Sequence, residues 1–307
     1  MYQSVHDAFI PFNEPLEARE HFMYLDQKSL VTTGIGNLLD ADDPQHFGSN
    51  AHLLPYAYSL GWFDKNTNVQ SGNAEIDQEY NTVKFSGTAG QPINVREQIT
   101  TLRITDATID TLVLSQLASF ESTLKGRPEF QSLDAWPADA QLGLFSMAWA
   151  MGPMFNFPHF QAAAAQQNWI RAARECYIKD GAVARNGRNQ LLFSIASWVS
   201  ATVGDFTQLV YDVTLGLAEN MRSGKFPIPL NSDIGLQAAL EQLGYDPQGL
   251  DGAFGSGTLH ALNTFEDRHG IGRTAPTAKS IADVPTASID AIAAALDSAQ
   301  IKYFYQP

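Results

Sequence analysis

Three side chains near the start of the chain have the types and spacing for acid-assisted cleavage of a glycosidic bond. They are Glu17, Asp26 nine positions later (26 − 17 = 9) and Thr32 six positions after that. Such a cleavage needs a carboxylic acid to protonate the leaving oxygen. It also needs a second group that activates water or stabilises positive charge at the anomeric carbon. Spacing alone discriminates poorly, because an acidic chain places Asp near Glu many times over.

The elements that carry these residues sharpen the reading. Glu14 to Leu25 has apolar residues at Leu16, Phe22, Met23 and Tyr24 and is predicted to be helical, with Pro15 suited to the first turn. Ser29 to Gly36 is rich in β-branched residues and ends in Gly34-Ile35-Gly36, which is strand and turn chemistry. A helix feeding a hairpin can bring Glu17, Asp26 at the hairpin entry and Thr32 on the returning strand to one cleft. Glu14 and Glu20 are the rival acids. They fit the spacing badly and are expected to face solvent.

The run from Glu17 through Tyr24 to Asp26, followed by Thr32-Thr33-Gly34-Ile35-Gly36-Asn37-Leu38-Leu39, resembles the active-site segment of the phage-type lysozymes. Pro128 to Asp134 with Ala148-Trp149-Ala150-Met151-Gly152, Asn168-Trp169, and Asn186-Gly187-Arg188 extend the likeness to roughly residues 8–203. The resemblance implies Glu17 as general acid, Asp26 as the ionised partner, Thr32 as holder of the attacking water and Arg188 as the arginine that fixes the glutamate rotamer. It implies Gly36, Asn37, Leu38 and Met151 as substrate contacts. Two positions depart from the family pattern: Ala18 stands where Gly is common, and Asn37 where His is common.

The rest of the chain is predicted to support that unit. Residues 41–100 look irregular, with loops at Asp42-Asp43-Pro44, Asn66 to Asn73 and Gly87 to Pro92 and one helix over Ala74 to Lys84. A helix begins at Thr105-Asp106, with Ile109, Leu112, Val113, Leu117 and Phe120 on its apolar face. Ala140 to Met151 is apolar nearly all round, the mark of a buried helix. Phe157 to Tyr177, Asn189 to Ala201 and Asp205 to Ser223 are predicted as further helices, and Gly224 to Leu230 as a linker.

Beyond the linker, Leu236, Leu240 and Leu243 mark one helical face. Asp251-Gly252-Ala253-Phe254-Gly255 and Thr258 then open a second helix, and Ser288 to Ser298 forms a third. The D-G-x-F-G-x-x-T core is similar to the common peptidoglycan-binding domain 1, a three-helix module. Its glycines sit at tight turns, and Phe254, Phe265 and the leucines are expected in its core. Catalytic and wall-binding units on one chain raise each other's effective concentration on a shared polymer.

The sequence therefore predicts an α+β fold: a lysozyme-like domain over 1–223 with a small hairpin lobe, a larger helical lobe and an elaboration at 41–100, then a linker and a wall-binding module over 231–307. The expected function is a muramidase that hydrolyses the β-1,4 bond between N-acetylmuramic acid and N-acetylglucosamine. A lytic transglycosylase and an inactive wall-binding protein are the alternatives. Peptidoglycan glycan strands are the expected partner, and an immunity protein plugging the cleft is compatible with catalysis.

Composition narrows the partners. The 307 residues are 44% hydrophobic and 17% charged, a globular balance with material for two domains. With 19 Lys+Arg against 33 Asp+Glu and a net charge of −14, phosphate backbones and anionic membranes are not expected as partners. Cys176 is the lone cysteine and is expected in the core. No metal-ligand spacing appears, so neither metal nor organic cofactor is expected. No signal peptide or spanning segment is seen in the sequence. Action in the periplasm or cell wall would then depend on a secretion system or phage lysis machinery.

Overall fold

The structure is a computed structural model and describes residues 1–40, 52–179, 183–202 and 204–305. The loop predicted at Asp42-Asp43-Pro44 lies outside the described residues. In chain order the elements are α1 (Gln3–Glu17), β1 (Glu20–Leu25), β2 (Val31–Gly34), β3 (Asn37–Leu38), β4 (Phe63–Asp64), α2 (Asn73–Lys84), α3 (Ile93–Gln98), β5 (Leu102–Arg103) and α4 (Asp106–Lys125). There follow α5 (Ala138–Met151), α6 (Pro158–Ala165), α7 (Trp169–Glu175), α8 (Val183–Ala201), α9 (Leu217–Arg222), β6 (Ile228–Pro229), α10 (Asp233–Gln242), α11 (Ser256–His269), α12 (Thr286–Ser298) and β7 (Tyr303–Phe304). Helix and strand are mixed, and the chain forms two compact units: Met1–Phe12 with Ser119–Pro307, and Asn13–Ala118.

The smaller unit, Asn13–Ala118, is built on the antiparallel sheet β1-β2-β3. Phe22 to Leu25 are all buried, so this run is a strand packed on both faces and not the helix the apolar residues predicted. The helix lies earlier in the chain, which puts Pro15 in the last turn of α1 and not the first. Gly34 makes the β2–β3 turn at φ +63°, where a Cβ would sit 2.8 Å from the Asn37 amide oxygen. α2 and α3 cover β1: α2 is the helix predicted over Ala74 to Lys84, and α3 is a second one in the stretch expected to be otherwise irregular. Asp40 is buried and accepts from Val31 N (3.2 Å) and the Tyr80 hydroxyl (3.0 Å), and it pairs with Lys84.

The larger unit packs α5 against α8, with α7 and α6 beside them. α5 is buried nearly all round, as its composition requires. An aromatic cluster fills the space below it: Trp136 and Trp169 rings lie 4.8 Å apart, and Phe160 and Phe193 5.2 Å apart. Phe157 to Tyr177 is two helices, not one. Gln167 has φ +54°, and Asn168 caps α7 by accepting from Arg171 N at 3.1 Å. Asp205 to Ser223 is helical only at α9. The carboxylates of Asp205 and Asp212 each bind the main-chain N–H and hydroxyl of the threonine two positions on, which favours turns over helix. Cys176 is buried, as expected.

α10, α11 and α12 form the three-helix module within this unit. Leu236, Leu240, Leu262, Phe265, Ile292 and Leu296 fill its core, whereas Phe254 is half-buried and not the core residue the motif suggested. The segment expected as a linker is folded in: Ile228 and Leu230 are buried, and β6 pairs in parallel with β7. The module packs closely on α8. A Cβ on Gly187 would lie 2.3 Å from the Asp251 carbonyl oxygen, and one on Gly252 would lie 2.7 Å from Gly187 Cα.

Candidate functional site

Glu17 is the last residue of α1 and is half-buried. The chain leaves the helix through Ala18 at φ +63°, which a glycine would adopt without strain. Arg19 then locks the exit: its guanidinium reaches Glu14 (2.9 Å), Asp110 (2.9 Å) and Asp106 (3.2 Å). Glu14 is thus an ion-pair partner.

Asp26 occupies the β1–β2 turn. One carboxylate oxygen accepts from the main-chain N–H of Lys28 and of Leu30, both at 2.8 Å, and closes the turn as an Asx motif. Thr32 stands opposite Tyr24 in the ladder, so the two side chains share one face of the sheet. Its hydroxyl is buried and donates to the carbonyls of Tyr24 and Leu30 at 3.3 Å each.

Tyr24 links these groups. Burial pushes its phenol up to about 12, with the negative charges of Glu17 and Glu20 adding to the effect and a hydrogen bond with Thr32 opposing it. Arg96 stacks over the Tyr24 ring at 4.9 Å and donates to the Leu25 carbonyl at 3.2 Å. Its Nε is buried without a hydrogen-bond partner. Arg96 lies on α3, inside the stretch read as irregular, and no motif marked it. Glu20, expected to face solvent, is half-buried at the start of β1. Burial raises its carboxyl above the usual range, against the pull of Arg96. The face around Tyr24 thus gathers two glutamates, a hydroxyl and a guanidinium in partial shelter from water.

The remaining candidates divide. Asn37 is buried; its amide oxygen accepts from Ile35 N at 3.1 Å and its amide nitrogen donates to Gln116 at 2.7 Å. The oxygen thus holds the β2–β3 turn and the nitrogen ties that turn to α4. Gly36 and Leu38 flank it, and Leu38 is exposed. Met151, half-buried at the end of α5, and Arg188, on α8, belong to the larger unit. Arg188 donates to the Phe12 carbonyl at 2.9 Å and lies over the Phe12 ring. Among the described residues no three His, Cys, Asp or Glu side chains are grouped to hold a metal ion, and no helix is long and apolar enough to cross a membrane.

The module has its own polar centre, which the motif did not disclose. Gln237 on α10 donates to Asp251 Oδ1 (2.8 Å), the Ala253 carbonyl (3.0 Å) and Thr258 Oγ1 (3.1 Å). Its carbonyl accepts from the main-chain N–H of Asp251 (3.1 Å) and Gly252 (2.8 Å). The D-G-x-F-G-x-x-T residues are therefore mutually spaced to wrap one buried amide. Glu266, also buried, accepts from Thr274 N and from the hydroxyls of Thr274 and Ser288 at 2.6 to 2.7 Å. No curated protein matches the chain. Residues 234–274, which contain the Gln237 hub and the loop around it, match the family described as "Putative peptidoglycan binding domain".

Proposed function

We propose that the protein is a muramidase: a hydrolase of the β-1,4 bond between N-acetylmuramic acid and N-acetylglucosamine, held on its substrate by the C-terminal module. The observation that carries the reading is the placement of Glu17, Asp26 and Thr32 on one short helix–hairpin unit, with Tyr24 beside Thr32 and sensing the Glu17 charge. A half-buried glutamate at a helix end beside the hairpin has the chemistry and the position asked of a general acid. An aspartate carboxylate fixed by two main-chain N–H groups is held in one orientation, as the partner of such an acid must be. The peptidoglycan-binding match at 234–274 supports the substrate independently. The lysozyme-like lobed fold and action at the bacterial cell wall belong to this reading.

A non-catalytic wall-binding protein is the second reading. It is favoured by the commitment of Thr32 and Asp26 to main-chain groups within the hairpin. Mass spectrometry of products from purified sacculi separates the readings when wild type and Glu17→Gln are run side by side. Reducing-end muropeptides from wild type, falling at least about a hundredfold in the variant, are expected for a hydrolase with Glu17 as its acid. Anhydro-muropeptides would instead mean a transglycosylase. No products from either protein would leave a binding protein.

A further inference from the structure

Four of the five tryptophans, Trp62, Trp136, Trp149 and Trp169, are buried; Trp198, on the last turn of α8, is half-exposed. It lines two adjoining cavities of about 490 and 700 Å³ that share Trp198, Pro227, Gln300, Ile301 and Lys302. One wall is the module itself, through Ala238, Glu241 and Gln242 of α10 and Leu250. The other is the C-terminal tail, which adds Tyr303, Phe304 and Tyr305, all half-buried.

The chemistry of the lining points to a neutral, hydroxyl-rich ring. Exposed aromatic faces offer flat apolar surface to the C–H face of a sugar, and their rims carry polar handles for its hydroxyls. Of the cations on the walls, Arg222 pairs with Glu241 at 2.6 Å and Lys225 with Asp212 at 2.6 Å, and Lys302 is a single exposed ammonium. Tyr303 donates to Asp297 at 3.2 Å, which ties its hydroxyl to α12. A phosphate polymer finds no free cationic row here, and an apolar helix finds too many polar groups. We infer that the groove around Trp198 binds the N-acetylhexosamine backbone of a peptidoglycan strand, at a site separate from Glu17. The inference rests on the wall-binding reading of the module and not on hydrolysis.

The test uses the full chain and the hexamer of N-acetylglucosamine, read by tryptophan emission and calorimetry. The expected result is a saturable blue shift in wild type, because Trp198 is the half-exposed indole. Affinity should fall about tenfold or more in Trp198→Ala and less in Trp198→Phe, which keeps a flat ring. Tyr305→Ala, at the rim, guards against misfolding and should weaken binding with unchanged thermal unfolding. Hexamer binding that is equal in wild type and Trp198→Ala would overturn the inference. Sedimentation with purified sacculi separates two failures. Wild type and Trp198→Ala sedimenting alike, with no hexamer binding, would overturn the groove and leave the module's wall binding standing. No sedimentation of wild type would remove both.

Discussion

Replacing Gly187 by alanine tests the close packing of the module on α8. The added methyl would meet the Asp251 carbonyl oxygen at 2.3 Å and Leu217 Cδ2 at 2.6 Å. Ordinary contact is about 3.5 Å, so helix and loop must separate by about 1 Å. The atom in the way is main chain, on a loop pinned by Gln237, and cannot swing aside as a side chain would. Overpacking of this kind costs about 1–3 kcal/mol. Against it stands the helix preference of Ala over Gly, up to about 1 kcal/mol. With main chain in the way the upper half of that range applies, about 2–3 kcal/mol, and the net is a loss of about 1–2 kcal/mol. For a unit of this size each kcal/mol moves Tm by about 2–4 °C, so Gly187→Ala should melt about 2–8 °C lower. Scanning calorimetry reads this directly, and limited proteolysis would show the module loosening first. The sign is the decisive feature. On a free helix face the substitution stabilises, so an unchanged or higher Tm would refute the close contact.

Gln237→Leu should destabilise the protein by about 2–4 kcal/mol in urea titration, since it strands the main-chain N–H groups of Asp251 and Gly252 in a buried loop. It should also weaken sedimentation with sacculi. Asp139 is buried and its carboxyl is pushed up to about 6 by burial, against the hydrogen bonds from Val210 and Tyr211. The folded state therefore holds a proton that the unfolded state has lost above about pH 4. Its contribution is full below that pH and is lost as pH rises towards 6, by roughly 3 kcal/mol at most. Urea midpoints of Asp139→Asn between pH 4.5 and 7 should show a correspondingly flatter dependence. An identical slope would deny that Asp139 titrates there. Ala18→Gly relieves a left-handed alanine and should be neutral to about 1 kcal/mol stabilising, checked by Tm. On the proposed muramidase reading, the net charge of −14 predicts slower lysis of teichoic-acid-rich walls than of thin sacculi at low salt. Equal lysis rates would count against it.

The sequence disclosed some of this and hid the rest for physical reasons. α2, α4, α5 and α12 were legible because their apolar residues recur at helical period or fill every face. The Phe22–Leu25 strand was not, since four consecutive apolar residues fit a buried strand and a buried helix equally. Pro15 misdirected the start of α1, because it sits in the last turn of that helix and not in the first. Within the site, the spacing of Glu17, Asp26 and Thr32 was visible, but Arg96 and the shelter around Glu20 were not. Those depend on α3 returning to β1 some seventy residues later, a contact no local pattern encodes. Gln237 was hidden for a similar reason: a single amide has no periodicity, and its role appears only when the glycine loop closes round it.

The β6–β7 pair also decides how portable the module is. Ile228 opposes Tyr303 and Pro229 opposes Phe304, so the polypeptide enters and leaves at neighbouring strands, about 5 Å apart. The ends of the segment thus have the spacing that insertion into a surface loop requires, while its packing on α8 through Gly187 and Gly252 ties it to this chain.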